Sequence, residues 1–599
     1  MARSAFVMLV WRADHVEGDS LENLQRRLTA AGWRCAAASS GISIWTLADG
    51  GLPVTPLPAG RGWIVGEHYS TPEGPPPSPE AEASGATLAK RISRTHWGRF
   101  VAILPEATGF CAYREPSGHL AAHAWTLTSG IVLLASDPTR LPPGFSPPRL
   151  GLDWSRIATF LASQGAATTE PLLSGMMSIG PGELLRAEDG SLRIEPIWRP
   201  AMFARDARVD VQDAQREMVG RVDACVAAMA RGRPTLVMEL SGGLDSAIVA
   251  TGLGVMGEAH RVACWLNFAG ARIEGDERAY ATAVTDRLGV ALTVAELSAA
   301  PLEPADFDEL GARLWPAVAG ADAGRDRRVL NALEETGATA LMSGQGGDAV
   351  FFQMPSALVF ADAFARDGLR AFGSPLLADV ARRTRTSAWT VAFDAFRKTS
   401  RAATGQDDAA GLVARDVREA GRGRHHAWVR DAESTGLAPG KQLQILAIAN
   451  CHAYHGESRR GARADLLYPL LAQPVVELAL GIDVPELAGG AFDRPFARDA
   501  FSRRLPESIL CRRAKGRLGA YFAHLVAASA DGLRPYLLDG VLAEAGLLNR
   551  DAVSRVLDPD QLIWAGRPAE VLRVAAAEAW VRYWQTRVAD AVSTRARTA

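Results

Sequence analysis

The hexapeptide Ser241-Gly242-Gly243-Leu244-Asp245-Ser246 constrains this chain more than any other stretch. It follows a short apolar run, Thr235–Leu240, that reads as a strand, and it opens a run with helical pattern. Glycines in such a turn let the backbone approach a phosphate closely. The amides at the following helix N-terminus, with two serine hydroxyls, then hold the anion. Asp245 would repel a bare phosphate, so its chemistry fits a ligand for a hard cation such as Mg2+. No Gly-Lys-Ser or Gly-Lys-Thr follows, so this is not a P-loop. The bland reading is a glycine-rich turn that binds nothing. The intact S-G-G-x-D-S pattern between strand and helix weighs against it.

The flanking sequence extends the pattern. Val211–Arg231 is helical in period. After the hexapeptide come a strand at Arg261–Phe268, a helix at Glu277–Leu288 and a strand at Ala291–Leu297. A helix at Arg325–Glu335 and a strand at Thr339–Ser343 follow. Alternation of this kind predicts a parallel sheet covered on both faces. Residues 1–200 read differently, as short strands split by turn-formers: Phe6–Trp11, Ile42–Leu47, Trp63–Val65, Phe100–Leu104 and Ile131–Ala135. These predict packed sheets. Residues 71–85, TPEGPPPSPEAEASG, read as an exposed, mobile loop. Beyond residue 355 the chain is Ala- and Arg-rich with helical period, and no internal repeat is evident. Two domains are expected, 1–205 and 206–599, with the break after Trp198 and Pro200.

At 599 residues the chain is long enough for several cores. Its net charge of −2 argues against a general nucleic-acid or anionic-membrane surface. Cys35, Cys111, Cys225, Cys264, Cys451 and Cys511 form no C-x-x-C pair, which supports reduced, mostly buried thiols. The N-terminal MARSAFVMLVWRADH lacks a signal-peptide core, and no uncharged apolar run reaches the ~18 residues that span a bilayer. A cytoplasmic protein is expected, with neither nucleic-acid nor membrane partners. His452 and His455 have a metal-like spacing but no third ligand in view, so they read as helix-face histidines.

SGGLDS resembles the pyrophosphate loop of the ATP-pyrophosphatases, and four further stretches resemble the asparagine-synthetase superfamily. They are ACWLNFAGARIEGDERAYATAVTDRLG (263–289, with the acidic pair Asp276-Glu277), LMSGQGGDAVF (341–351), ADLLYPLLAQPVVELALGIDVPE (464–486) and LPESILCRRAKGRLGAYF (505–522). Together they span roughly 200–525. More weakly, GRFVAILPEATGFCAYREPSGHLAAHAWTLTSGIVLLASDPTRL and SIGPGELLRAEDGSLRIEPIWRP resemble the superfamily's glutaminase-like sheet domain. The implied fold is α/β. An N-terminal glutaminase-like (Ntn-type) β-sandwich precedes an ATP-pyrophosphatase parallel-sheet domain with a helical C-terminal part.

The resemblance also implies roles. ATP and Mg2+ are the expected cofactors, with the metal on Asp245 and Asp348. Ser241, Gly242, Gly243, Leu244, Asp245 and Ser246 would hold the phosphates, and Leu240, Leu266, Ser343 and Gly344 the adenine and ribose. Lys515 matches the superfamily's catalytic lysine, which offsets charge on pyrophosphate and adenylate. Two departures matter. Glutamine-using members carry cysteine after Met1, whereas this chain has Ala2, so the N-terminal domain is expected to lack a nucleophile. Asparagine synthetases carry Glu, and β-lactam synthetases Tyr, where this chain has Gln345, and an amide takes no proton. Glu457, or less well His455, is then the expected base or orienting group.

Three outcomes are known in the superfamily: asparagine synthesis, β-lactam or carbapenam closure, and lasso-peptide cyclisation. Ala2, Gln345 and the length favour the last, a ligase that joins a core peptide's N-terminal amine to an Asp or Glu side chain. A tethered amine gains effective molarity and needs no ammonia source. Expected partners are a precursor (core) peptide, a leader-peptide protease and a leader-recognition protein. Trp389, Trp428 and Arg397 are expected to contact the peptide. A non-catalytic docking module and a thiolation enzyme are the other readings. The intact motifs weigh against the first and the lack of C-x-x-C against the second.

Overall fold

A computed structural model describes the chain except residues 1–4, 12–17, 49–50, 72–83, 164–167, 169, 189, 205–209, 271–275, 298–299, 317–321, 398–410, 422–425, 456–457, 514–518, 559, 563–566 and 599. The N-terminal half holds two six-stranded antiparallel sheets. One runs, edge to edge, 177–178, 123–126, 132–135, 6–10, 42–47, 33–39, and the other 191–196, 183–188, 109–114, 96–106, 63–70, 54–56. Alternation along each strand sets the layers. Phe6 and Met8 face Val65, Val101, Ile103 and Phe110 in a core between the sheets. Val7 and Leu9 point to the opposite face, where they join a core with the C-terminal helices, Trp580 and Trp584 among them. Phe100, Ala102 and Leu104 pack on Ala89 and Ile92 of the helix Gly85–Thr95.

Three helices in this half go beyond the strands expected there: Gly18–Ala30, Gly85–Thr95 and Trp154–Ala162. The expected loop at 71–85 lies largely outside the described residues. At its end Ser84 caps the second of these helices, accepting from the Thr87 amide.

The second half is built on a five-stranded parallel sheet in the order 292–297, 262–270, 236–239, 340–343, 465–467. Its central strand, Leu236–Glu239, is nearly all apolar because both faces are covered. Leu236 and Met238 meet Val226 and Ile248 on one face, whereas Val237 meets Val329 and Leu333 on the other. The last strand, Asp465–Leu467, arrives from far along the chain and was not expected in the sheet. Among the described residues no helix is long and apolar enough to cross a membrane.

The sandwich and the parallel sheet reproduce the fold class that the sequence implied. Partly buried ion pairs join the halves. Arg99 of the sandwich reaches Asp465 Oδ1 at 2.7 Å, and Arg233 reaches Glu67 at 2.6 Å and Asp465 Oδ2 at 2.8 Å.

Candidate active site at the ends of the parallel strands

Leu240 leaves the central strand held on both sides. Its amide donates to Leu266 O at 2.8 Å and its carbonyl accepts from Asn267 Nδ2 at 2.7 Å. The chain then turns through Gly242 at φ +74°, a conformation that favours glycine. Space demands glycine too, since a Cβ there would lie 2.7 Å from Glu277 O. Ser241 and Ser246 bring their hydroxyls within 3.1 Å of each other, and Ser246 Oγ donates to Gly243 O at 3.1 Å. The helix Leu244–Val255 starts from Gly243, which offers no side-chain cap. Its first amides therefore keep their affinity for an anion.

The second loop, Ser343 to Asp348, leaves the neighbouring strand and packs directly on the first. A Cβ on Gly344 would lie 2.4 Å from Ser246 N and 2.5 Å from Asp245 C. One on Gly347 would lie 2.5 Å from Asp245 Cγ. This contact brings Asp245 and Asp348 to one point, which the sequence had joined only by resemblance. A single nitrogen, Arg494 Nη1, lies 2.7 and 2.6 Å from the two Asp245 oxygens and 2.6 Å from Asp348 Oδ1. A small cation at that nitrogen's position would thus reach both carboxylates. Among the described residues no group of three or more His, Cys, Asp or Glu side chains is disposed to hold a metal. Two carboxylates with phosphate oxygens and water completing the shell suit Mg2+.

Several groups at the site were not singled out from the sequence. Arg494 is one, held from behind by Asp493, which its Nη2 meets at 2.7 Å. Burial raises the Asp493 carboxyl, but Arg494 and Arg498 more than reverse this and bring it to about 2. Arg512 is another. It donates to Gly242 O at 2.8 Å, pairs with Glu277 and stacks over Tyr280 at 4.1 Å. It lay within the quoted 505–522 segment, where its spacing beside Lys515 was the available signal. Behind the strand end, Glu239 pairs with Arg325 and with Arg460 at 3.2 Å. Burial pushes its carboxyl up, and the two arginines more than reverse that.

The remaining expected residues fall as follows. Ser343 Oγ accepts from the Gln345 amide at 3.3 Å, so Gln345 sits at the turn of the second loop. The Leu240 and Leu266 side chains are buried in the two opposite cores of the sheet. Asp276 pairs with Arg278 at 2.6 Å. Lys515 and Glu457 lie outside the described residues.

His452 opens a single 3-10 turn, His452–Tyr454, that His455 ends, so the two histidines do not share the face of an α-helix. His455 is buried and stacks on His119 of the N-terminal half with ring centroids 4.0 Å apart. His452 lies 5.5 Å from both His455 and His426, and Trp428 packs at 4.7 Å. A cavity between the halves is lined by Ser117, Trp198, Trp428, His452, His455 and Gln473. Trp428 is thus a buried packing residue, not the expected peptide contact. Burial here disfavours the imidazolium. It pushes His426 and His455 down to about 3, and His119 and His452 well below the ordinary value.

Unfolded imidazoles take up protons below about 6.5, so these four contribute stability above that pH which is lost on acidification. The slope is up to about 1.4 kcal/mol per pH unit for each histidine. Glu115, raised by burial to about 7, binds its proton more readily folded and so opposes the trend above about 4.5. Burial also lowers His123, to about 3, and His68 and His96, while it raises Asp362, to about 6, Glu183 and Glu477, so the strongly lowered histidines outnumber the strongly raised carboxyls and the net is a loss. The thermal midpoint is expected to fall steeply from pH 6.5 to 4.5, and less steeply in His455→Gln. A flat profile in differential scanning fluorimetry would refute this.

A doubly covered parallel sheet with a serine- and glycine-lined loop at its central strand end is an architecture suited to holding nucleotide phosphates. Comparison with known families matches residues 218–582, well over half the chain, to Asparagine synthase. The chain belongs to that family and is an ATP-dependent ligase that makes carbon–nitrogen bonds. No curated protein matches it. Among solved structures it is similar to "glutamine phosphoribosylpyrophosphate (PRPP) amidotransferase from B. subtilis complexed with ADP and GMP". The identity is 11%, the coverage 57% of this chain and 80% of that one, and the TM-score 0.20, so nothing is drawn from that likeness.

Proposed function

We propose that this ligase adenylates an Asp or Glu side-chain carboxylate of a peptide and closes an isopeptide macrolactam with the peptide's own N-terminal amine, as lasso-peptide cyclases do. Gln345 carries this reading. The turn of the second loop presents an amide where the ammonia-using and β-lactam-forming relatives are expected to present Glu or Tyr. With no proton acceptor there, the reaction depends less on activating a free amine and more on its tethering, which supplies effective molarity.

The carboxylate attacks the α-phosphorus of ATP and pyrophosphate leaves. The uncharged α-amine then attacks the acyl carbon, the proton it loses goes to a base, AMP leaves, and one amide bond remains. Ser241, Ser246 and the amides from Gly243 onward bind the phosphates. Asp245 and Asp348 would hold Mg2+, which neutralises charge across the phosphate oxygens. Lys515 offsets the charge that develops on pyrophosphate, and Glu457 takes the amine's proton. His455 is not that base, because burial disfavours the imidazolium it would become on taking the proton.

The peptide meets an aromatic surface on the helical part. Trp389 is 85% exposed, and Phe393 and Phe396 are also exposed beside it, with Arg397 over Phe393 at 4.3 Å. A leader-peptide protease and a leader-recognition protein are the proposed partners, in the cytoplasm.

Incubation with ATP·Mg2+, a core peptide and its protease is expected to give AMP and a peptide lighter by one water. AMP formed only with aspartate plus ammonia, or only with a small β-amino acid, would overturn the peptide reading and leave the ligase chemistry standing.

A further inference from the structure

Arg494 stands at the point where Asp245 and Asp348 meet, and it is held there at a conformational cost. It adopts φ 51°, ψ 50° immediately before Pro495. The left-handed region is disfavoured for a side-chain-bearing residue, and a following proline pushes a residue towards extended conformations. Strain of this kind persists only where the surroundings over-determine it. Here Asp493 grips Nε at 3.0 Å and Nη2 at 2.7 Å. Asp493 is itself held by Arg498, and Pro495 opens the short helix Pro495–Ala500.

The contacts at Nη1 are not those of an ordinary ion pair. Three carboxylate oxygens lie within 2.7 Å of one nitrogen that carries two hydrogens. At least one N–H is therefore shared between two oxygens, and three anionic oxygens crowd one atom much as they would a metal ion. Arg494 is 3% exposed, whereas the Asp348 side chain is 46% exposed. Solvent reaches the pair mainly from the Asp348 side, since the Asp245 side chain is 11% exposed.

We infer that Arg494 is a built-in placeholder for the divalent cation: its guanidinium neutralises Asp245 and Asp348 in the nucleotide-free enzyme and must leave them before the metal binds. This rests on the reading of those two carboxylates as metal ligands. The carboxylates repel one another when bare, so an internal cation keeps the two loops packed without ligand. A site that is competent only in the fraction of molecules whose guanidinium has left shows a correspondingly weakened apparent affinity. Free metal then binds poorly, and metal arriving with nucleotide is favoured.

The test is Mn2+ binding to the full-length chain without nucleotide, followed by electron paramagnetic resonance. Arg494→Gln is expected to bind Mn2+ about tenfold more tightly than the unaltered chain, or more. Arg494→Lys keeps the charge but lacks the fork, and is expected to fall between the two. Equal affinities in all three chains would overturn the placeholder. So would tightening in Arg494→Gln with none in Arg494→Lys, which would show a general field and not occupancy. If Asp348→Asn added to Arg494→Gln leaves Mn2+ affinity unchanged, the metal reading itself fails. Should Arg494→Gln fold poorly, Arg494→Lys decides through stability. Mn2+ should raise its thermal midpoint more than that of the unaltered chain, and an equal rise counts against the proposal.

Discussion

Asp348→Asn is expected to lower ATP-dependent AMP formation by about 10³-fold while leaving the thermal midpoint within a few degrees of the unaltered chain. Asp245→Asn should cost as much activity and also destabilise the fold. Both carboxylates fit one cation, so losing either charge removes transition-state stabilisation at the phosphates. Their structural burdens differ. Asp348 is half-exposed, and water takes over its share of Arg494. Asp245 is buried and meets Arg494 with both oxygens. Breaking a buried pair on one side costs up to about 3–5 kcal/mol, and less here because Arg494 keeps Asp348 and Asp493, against a total stability of about 5–15. The amide keeps the shape and one acceptor, so Asp245→Asn should fold where Asp245→Ala fails. Pyrophosphate release and AMP are the readouts, with fluorimetry for the fold. Normal turnover in Asp348→Asn would remove the metal assignment.

The parts of this molecule legible in the sequence are those set by local rules. A strand running into Gly-Gly and then a helix is a short-range pattern, and the parallel sheet follows from its repetition. The fold class of both halves was accordingly recoverable. The helix Gly18–Ala30 was legible too, since Leu21, Leu24 and Leu28 recur at helical spacing and the last two are buried. The alternating strands around it masked that signal. The helix from Gly85 was hidden by the Pro-rich run before its Ser84 cap.

Other features depend on pairings that no local pattern reveals. Arg494 meets Asp245 across 249 positions, and Arg512 meets Gly242 across 270. Arginines on a charged, helical stretch look alike until the fold selects which are buried. The histidines show the same limit. His452 and His455 were read against each other along one helix, whereas His119, from the other half of the chain, decides their environment. Trp428 was expected at a peptide surface, yet it packs on Trp198 at 5.2 Å where the halves meet.

Gly344→Ala is the second large effect expected, and it touches no charge. Gly344 does not adopt a positive φ, so alanine is allowed by its backbone. The obstacle is contact alone. The new methyl would sit 2.4 Å from Ser246 N, 2.5 Å from Asp245 C and 2.8 Å from Asp245 O, all of them main chain in the first turn of a helix. Ordinary van der Waals contact needs roughly 1 Å more. Neither side yields easily: the first loop is tied through Leu240 to the neighbouring strand, and the second runs straight out of the strand Ala340–Ser343. Overpacking of this kind costs about 1–3 kcal/mol. The larger consequence is functional, because the loops must part, and a misplacement near 1 Å costs about 10²-fold in rate. Gly220→Ala is the matched control. Gly220 lies in the helix Val211–Arg231 with nothing within 4 Å of its Cβ position, so alanine there should stabilise by about 0.5–1 kcal/mol. Calorimetric titration with ATP and Mg2+, beside AMP formation, separates the two variants. Unchanged ATP affinity in Gly344→Ala would show that the closeness of these loops is not what shapes the nucleotide site.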